Sequence, residues 1–294
     1  MKNILKRAAV TAVVLIAAGA FLIGCAEDQP QEVNLTYVNW EEGVAWTHFF
    51  QTVLEDEMGY DVTITAADVG PAFASVAAGD QDFFMEAWLP GLHEPYYNED
   101  DFVDVSTIYE DGVVGLIVPQ YMADAGVTTL SDLADPEVAE QLDYQITGID
   151  AGAGMMIATQ DEVMPQYGLD EMGYELVASS SPAMLAAVES AIADEEFIVG
   201  MGWQPHSMFG RYPLVILEQD EEQIWPVDDI KILGRNGVEE DLPEVVEFFE
   251  NVMWTNDTIG ELMVYIADSN LDTLEAAREW KNANPDVWED WLPN

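Results

Sequence analysis

Two kinds of hydrophobic pattern alternate along the chain, and they predict alternating strands and helices. Residues 33–38 and 61–65 carry apolar side chains at every second position, which is the pattern of a half-buried strand. Residues 45–58, between them, carry apolar side chains at helical spacing, and Gly59 stands where that helix would end. Because strands alternate with helices in this way, we expect a mostly parallel sheet flanked by helices.

A second run of strands and helices predicts a second lobe. It starts at residues 144–147 and includes a helix over 181–193 and a strand over 197–201. The chain then crosses back near residues 230–234, and three helical segments follow. We therefore divide the folded part into three stretches, which are 34–117 (lobe I), 118–232 (lobe II) and 233–294 (return to lobe I). Two lobes joined by two crossings would enclose a cleft, where sheets of this kind bind ligands.

The first 25 residues have the pattern of an export signal. A positively charged start precedes an apolar run over residues 8–23, which is short for a membrane-spanning helix. The sequence Leu-Ile-Gly-Cys at residues 22–25 fits a bacterial lipoprotein signal, in which Cys25 is lipidated; a plain signal peptide is the alternative. Residues 26–33 are predicted to form a tether. Cys25 is the only cysteine, so a disulfide framework and a thiolate metal site are excluded.

The charge of the chain is strongly negative. It has 57 acidic and 8 basic residues, and three of the basic residues lie in the predicted signal, so five remain and the net charge beyond residue 25 is −52. This charge excludes nucleic acid and anionic membrane surfaces as partners of the folded part. Molar salt screens charges beyond about 3 Å. We therefore expect a salt-loving source, with an ordinary acidic exported protein as the alternative.

Three of the nine tryptophans stand where a predicted strand meets turn-forming residues. Trp40 precedes Glu-Glu-Gly, Trp88 precedes Leu-Pro-Gly, and Trp203 precedes Gln-Pro. Side chains at strand ends lie at the mouth of a sheet, so we expect these rings to converge. A box of aromatic rings suits a quaternary ammonium, which has no N–H group and is held by cation–π attraction. Packing in the core is the alternative, and we assign it to the other six tryptophans.

Two further features point to a site for a carboxylate. Residues 148–154, Gly-Ile-Asp-Ala-Gly-Ala-Gly, lie between a predicted strand and a helix, where backbone amides attract an anion; a tight structural turn is an equal alternative. His93 follows Trp88 by five residues and could donate a hydrogen bond to a carboxylate, although it could also be a surface histidine. We find neither metal-ligand spacing nor a catalytic motif. We therefore expect a binding protein without metal or cofactor, with a secreted hydrolase as the alternative.

Taken together, these blocks resemble the substrate-binding proteins of ABC-type glycine betaine/proline betaine uptake systems that are tethered as lipoproteins. The similarity runs from about residue 33 to 290, nearly the whole chain beyond the predicted signal. The matching blocks are residues 35–40, 54–63, 87–93, 118–122, 148–154, 202–209 and 254–255.

The resemblance implies an α/β protein of the type II periplasmic-binding-protein fold, with two lobes, a hinge and a ligand cleft between the lobes. The residues that it implies for ligand binding are three tryptophans around the trimethylammonium group, one histidine and two backbone amides at the carboxylate, namely Trp40, Trp88, Trp203, His93, Gly148 and Ile149. It also implies an extracytoplasmic, lipid-anchored protein, which we expect to be a monomer, that delivers glycine betaine to an ABC permease for osmoprotection. A choline, carnitine or ectoine binder and a betaine sensor are the alternatives.

Overall fold

The computed structural model describes residues 30–225 and 227–293. The predicted export signal, Cys25 and the first part of the predicted tether lie outside these residues. In the described part, no helix combines the length and the apolar character that crossing a membrane requires.

The described residues form nine strands and a larger number of mostly short helices. The strands are β1 (Glu32–Tyr37), β2 (Asp61–Ala66), β3 (Phe83–Leu89), β4 (Phe102–Pro119), β5 (Gln145–Thr147), β6 (Glu175–Val177), β7 (Gly200–Gln204), β8 (Leu214–Ile216) and β9 (Asp228–Arg235). The α-helices are α1 (Glu41–Asp56), α2 (Val69–Ala77), α3 (Gln120–Asp124), α4 (Pro136–Gln141), α5 (Gly154–Ala158), α6 (Met164–Gln166), α7 (Leu169–Met172), α8 (Ser181–Asp194), α9 (Met208–Arg211), α10 (Val238–Asp241), α11 (Pro243–Asn251), α12 (Asn256–Asp268), α13 (Thr273–Ala283) and α14 (Pro285–Trp288). A π-helical turn joins α5 to α6, and single 3₁₀ turns lie at Glu94–Tyr96, Glu99–Asp101, Leu130–Ala134 and Glu289–Trp291.

One long strand, β4, connects two regions of the sheet. The strand order is β2-β1-β3-β9-β4-β7, and β8 also pairs with β4. Along residues 102–112, β4 pairs with β9; along 113–119 it pairs with β7 and β8. We call β1, β2, β3, β9 and the start of β4, with their helices, lobe I. Lobe II contains β5 to β8 and the end of β4.

The sheet is less parallel than the sequence predicted. The strand β1 runs parallel to β2 and β3, and β5 runs parallel to β6. The strands β4 and β9 run antiparallel to the neighbours with which they pair. The expectation of a mostly parallel sheet was wrong for this part, because β9 lies between β3 and β4 and runs antiparallel to both. The predicted lobe boundaries, after residues 117 and 232, fall within these two strands and remain a prediction.

The C-terminal helices α12 and α13 pack against α1, a helix of lobe I. Phe49 on α1 contacts three tryptophans of this region edge-on, with ring centroids 5.1 to 6.1 Å apart. Those three rings are Trp254, Trp280 and Trp291. Edge-on contacts of this kind stabilise aromatic cores beyond the burial of their area. All six tryptophans that we assigned to packing are buried.

The few basic residues in the part of the chain that the structure describes all form ion pairs. Each of the five beyond residue 25 has a carboxylate within 4 Å, and three of them contact two carboxylates. Lys281 on α13 is the most buried, with its side chain only 1% exposed. Its Nζ lies 2.9 Å from Asp56 Oδ2 and 2.7 Å from Glu57 Oε1, at the end of α1. This cation therefore fixes α13 to α1.

We predict that Lys281→Met lowers the free energy of unfolding by about 2 kcal/mol, because it leaves Glu57 without its cation and leaves Asp56 with Arg278 alone. This is less than the loss of a fully buried pair, since both carboxylates are about a third exposed. Urea unfolding in molar salt measures the change. Arg211→Met is the control, because Asp268, its partner, is 73% exposed and the expected cost is at most about 0.5 kcal/mol. Equal stabilities of the two variants would contradict the prediction.

Candidate ligand-binding site

A cavity lies between the two lobes, with about 290 Å³ of atom-free space including the part open to solvent. Its lining residues come from both lobes, and they are Trp40, Trp88, Leu92, His93, Val114, Ile149, Ala153, Gly154, Met155 and Trp203. The structure thus brings five of the six residues predicted to bind a ligand to one cavity; Gly148 lies outside the lining. No acidic side chain lines the cavity. Among the described residues, no group of histidine, cysteine and carboxylate side chains could hold a metal ion.

The three tryptophans reach the cavity from three different strand ends. Trp40 lies between β1 and α1, as the residue before the first residue of α1. Trp88 lies near the end of β3, and Trp203 lies near the end of β7. The ring centroids of Trp40 and Trp203 are 6.2 Å apart, with the planes tilted by 54°. Gly112 on β4 leaves room for Trp88, because a Cβ there would lie 2.7 Å from the indole. The result is a set of inclined aromatic faces around one space.

Two of the three indole N–H groups donate across the cleft. Trp40 Nε1 in lobe I donates to Asp150 Oδ2 in lobe II at 3.3 Å. Trp203 Nε1 in lobe II donates to Glu42 Oε1 in lobe I at 2.8 Å. The Nε1 of Trp88 is buried and has no hydrogen-bond acceptor among the described residues. Each lobe therefore accepts a hydrogen bond from a tryptophan that belongs to the other lobe.

His93 is a neutral imidazole that can donate one hydrogen bond. The residue is 1% exposed, and burial lowers its pKa to about 3. Its Nδ1 accepts the backbone N–H of Trp88 at 3.1 Å, so the ring proton of the neutral form is on Nε2. The ring also packs beside Trp40, with centroids 6.0 Å apart. The predicted alternative, a surface histidine, is wrong.

The two glycine-turn amides differ in their present partners. The Gly148 N–H donates to the carbonyl of Val177 at 2.9 Å, within the region of β5 and β6. The Ile149 N–H faces Met156 Sδ at 3.3 Å, and a thioether sulfur is a weak acceptor. Ile149 lines the cavity. Its amide can therefore change to a stronger acceptor at a small cost, whereas the Gly148 amide must first give up a backbone hydrogen bond.

The acidic pair at the start of α1, Glu41 and Glu42, was not predicted to belong to the site, yet both side chains contact lobe II. Glu41 accepts hydrogen bonds from Ser207 N at 2.9 Å and Ser207 Oγ at 2.6 Å, and Glu42 is fully buried. Burial opposes the charge of Glu41, but hydrogen bonds from His206 and Ser207 lower its pKa to about 2. Their position directly after Trp40 was the signal available in the sequence.

The loop after β3 also contacts lobe II closely. Tyr96 Oη donates to the carbonyl of Gly152 at 2.9 Å. A Cβ on Gly154 would lie 2.1 Å from the carbonyl oxygen of Leu92, so no larger residue fits there without separating the backbones. Together with the indole and Glu41 hydrogen bonds, these contacts describe a closed cleft.

Comparisons with known sequences support a single family. A family model described as the substrate binding domain of an ABC-type glycine betaine transport system matches residues 31–283. The glycine betaine/carnitine transport binding protein GbuC of Listeria monocytogenes is 36% identical over 170 residues, which cover 58% of this chain and 56% of that protein. This chain therefore matches little more than half of the relative's length.

Solved structures share the fold over most of the chain. The lactococcal OpuAC, in its closed conformation with glycine betaine, has a TM-score of 0.80 and 30% identity, covering 90% of this chain and 100% of that one. A choline-binding protein of an ABC transporter, in complex with choline, has a TM-score of 0.81 and 26% identity, covering 88% and 91%. The two-lobe α/β fold predicted from the sequence is thus confirmed.

We predict that Gly154→Ala weakens ligand binding in this cavity by roughly five- to hundredfold, with glycine betaine, the ligand of the lactococcal structure, as the test compound. The added methyl group pushes the Leu92 backbone away and so disfavours the closed cleft, at a cost of about 1–3 kcal/mol. Calorimetric titration measures the affinity. The control is Gly152→Ala, whose Cβ would lie 3.7 Å from Tyr96 Oη, an ordinary contact distance. If both variants bound equally well, the close approach would not matter for closure.

Proposed function

Because this chain belongs to the family of substrate-binding domains of ABC-type glycine betaine transport systems, we propose that it captures glycine betaine, or a related quaternary ammonium osmolyte, for an ABC importer. The observation that carries the proposal is one cavity lined by three tryptophan side chains from two lobes, with a neutral histidine beside them. The rings provide for the methylated cation, and the histidine provides for the carboxylate. Closure of the lobes then encloses the ligand.

The cationic group binds to Trp40, Trp88 and Trp203. Each ring contributes about 0.5–2 kcal/mol through cation–π attraction. A trimethylammonium group has no N–H to satisfy, so an apolar wall costs it no hydrogen bonds, whereas a primary ammonium would lose its water partners. Because this selection depends on contact with ring faces in a buried site, high salt screens it far less than it screens surface charge.

The ligand carboxylate binds on the other side of the cavity. His93 donates its Nε2–H, and the Ile149 N–H exchanges the Met156 sulfur for an oxygen. Gly148 takes part only if its N–H leaves the Val177 carbonyl, with which it is bonded at 2.9 Å. Hydrogen bonds to a charged acceptor contribute about 1.5–3 kcal/mol each. This side of the site distinguishes a betaine from a cation that lacks a carboxylate.

Choline is the second candidate ligand, since the fold is shared with a choline-binding protein at 26% identity. Choline has the same trimethylammonium group but a hydroxyl in place of the carboxylate. The neutral His93 does not decide between them alone, because an N–H can donate to a hydroxyl as well. The stronger, charge-assisted bond to a carboxylate favours glycine betaine.

We place the protein on the extracytoplasmic side, where an importer receives its substrate. The lipobox at residues 22–25 supports a lipid anchor on Cys25, with the folded part presented to an ABC permease. The net charge of −52 beyond the signal supports a saline environment, in which ions screen the repulsion between carboxylates.

We predict that Trp203→Ala weakens glycine betaine binding tenfold or more, because it removes one aromatic wall. Titration of tryptophan fluorescence in molar salt, with glycine betaine, choline, proline and ectoine, measures affinity and preference. Trp280→Ala is the control; it lies in the core of lobe I, so the variant should lose stability and keep its affinity. A response to choline alone, or an unchanged affinity of Trp203→Ala, would contradict the proposal.

We predict that His93→Ala weakens glycine betaine binding by roughly 10- to 100-fold and changes choline binding much less, because only the betaine loses a charge-assisted hydrogen bond. His48→Ala, on α1 but outside the cavity lining, should leave both affinities unchanged. The pKa of His93 is about 3, so the ring gains a proton only in strong acid, and its donor role is constant between pH 5 and 8. Equal losses for betaine and choline would assign His93 to packing alone.

A further inference from the structure

A buried pair of carboxyl groups stands directly behind the tryptophan that lobe II contributes. Glu42 on α1 and Glu86 on β3 are both fully buried. Glu42 Oε1 accepts the Trp203 indole N–H at 2.8 Å, and Glu86 Oε2 accepts the backbone N–H of Val38 at 3.3 Å. Neither side chain lines the cavity. The hydrogen bond from Trp203 therefore connects the pair to the wall of the cavity.

The two remaining oxygens of the pair lack a hydrogen-bond donor in the described part of the chain. Glu42 Oε2 and Glu86 Oε1 are buried and receive no hydrogen bond from a donor group of the described residues, yet the two side chains lie within hydrogen-bonding reach of one another. A shared proton satisfies both oxygens. Burial raises the pKa of Glu42 to about 7, and burial and the neighbouring Glu42 raise the pKa of Glu86 well above its usual range.

The surrounding backbone is shaped to admit this pair. A Cβ on Gly43 would lie 2.2 Å from Glu86 Oε2, so a side chain at residue 43 would displace the carboxyl group. Two buried carboxyl groups are costly, and apolar residues of similar size often stabilise a core as well or better. A pair that only filled space would have no need of polar atoms.

We infer that Glu42 is a positioning residue for the ligand cage, by which we mean the side chains of Trp40, Trp88 and Trp203. Its Oε1 fixes the rotation of the Trp203 indole by accepting the indole N–H. Glu86 in turn holds Glu42 in place through a shared proton. The inference rests on the proposed function. An oxygen of Glu42 accepts the indole N–H whether the pair is neutral or carries one charge. Trp40 and Asp150 form the reciprocal bond in the other direction across the cleft. Closure of the lobes therefore forms both indole hydrogen bonds, and these orient Trp40 and Trp203 as the cage assembles.

The experiment is a double-mutant cycle between Glu42 and Trp203, with glycine betaine affinity measured by calorimetry in molar salt. Glu42→Leu removes the acceptor and should weaken binding about tenfold, whereas Glu42→Gln keeps an acceptor oxygen and should stay within about threefold of the parent. Trp203→Phe keeps a ring but has no N–H. In that background, Glu42→Leu should cost less than about twofold, because no indole bond is left to lose.

Two further measurements separate positioning from general stability. The combined variant Glu42→Leu/Glu86→Leu leaves no unpaired carboxyl group, so it should melt no lower than the single Leu variant and still lose about tenfold in affinity. The indole N–H resonance of Trp203, identified by its absence in Trp203→Phe, should exchange slowly with solvent in the parent and in Glu42→Gln. The combined Leu variant should exchange faster.

The outcomes are distinct. Unchanged affinity in both Leu variants, or the same loss with phenylalanine at residue 203 as with tryptophan, would overturn the inference. A loss in Glu42→Gln as large as in Glu42→Leu would also overturn it, because charge would then matter more than position. If the parent bound no quaternary ammonium ligand, the proposed function would fail instead, and the indole exchange rates would still test the bond itself.

Discussion

An indole has an apolar face and a polar N–H edge, and for Trp40 and Trp203 the site provides for both. Its face must stay free for a methylated cation, while its N–H, once buried, needs an acceptor. In this protein the acceptors for Trp40 and Trp203 are carboxyl groups of the opposite lobe. The N–H groups of these two rings thus form hydrogen bonds between the lobes, while the ring faces line the cavity. Closure of the lobes and assembly of the ligand cage consequently occur together.

The fold gives this event a simple mechanical basis. The strands β4 and β9 belong to the sheet of lobe I, and β4 continues into lobe II, where it pairs with β7 and β8. Trp203 lies on β7 opposite Val114 of β4, so the wall from lobe II is attached close to the connection between the lobes. A small change in the connecting segments would therefore move this wall relative to Trp40.

The sequence predicted the aromatic part of the site better than the polar part. The three site tryptophans stood out because a side chain at the end of a strand lies at the mouth of the sheet and not inside it. They are Trp40, Trp88 and Trp203. His93 was found by its distance from Trp88, but its neutral state follows from burial and from the Trp88 amide, which only the fold supplies. Glu42 was missed because one more acidic residue is inconspicuous among 57, and its burial depends on a lobe that is distant in sequence.

The strand directions and the close backbone contacts could not be predicted either, because both depend on residues that are distant in sequence. Local alternation predicted strands correctly, but it carries no information about the direction in which distant strands pair, so the antiparallel β9 was missed. The glycine block at 148–154 was recognised as a place of close approach. Which glycine is approached, and by what, depends on the loop containing Leu92, and periodicity cannot reveal a neighbour some 60 residues away.

The ion pairs of the five basic residues have a consequence for contact with other molecules. Since each of these cations is already bound to carboxylates of its own chain, none is left uncompensated on the part of the surface that the structure describes. At molar salt, where charges are screened beyond about 3 Å, recognition of this surface by another protein depends on complementary shape and on the release of water at short range.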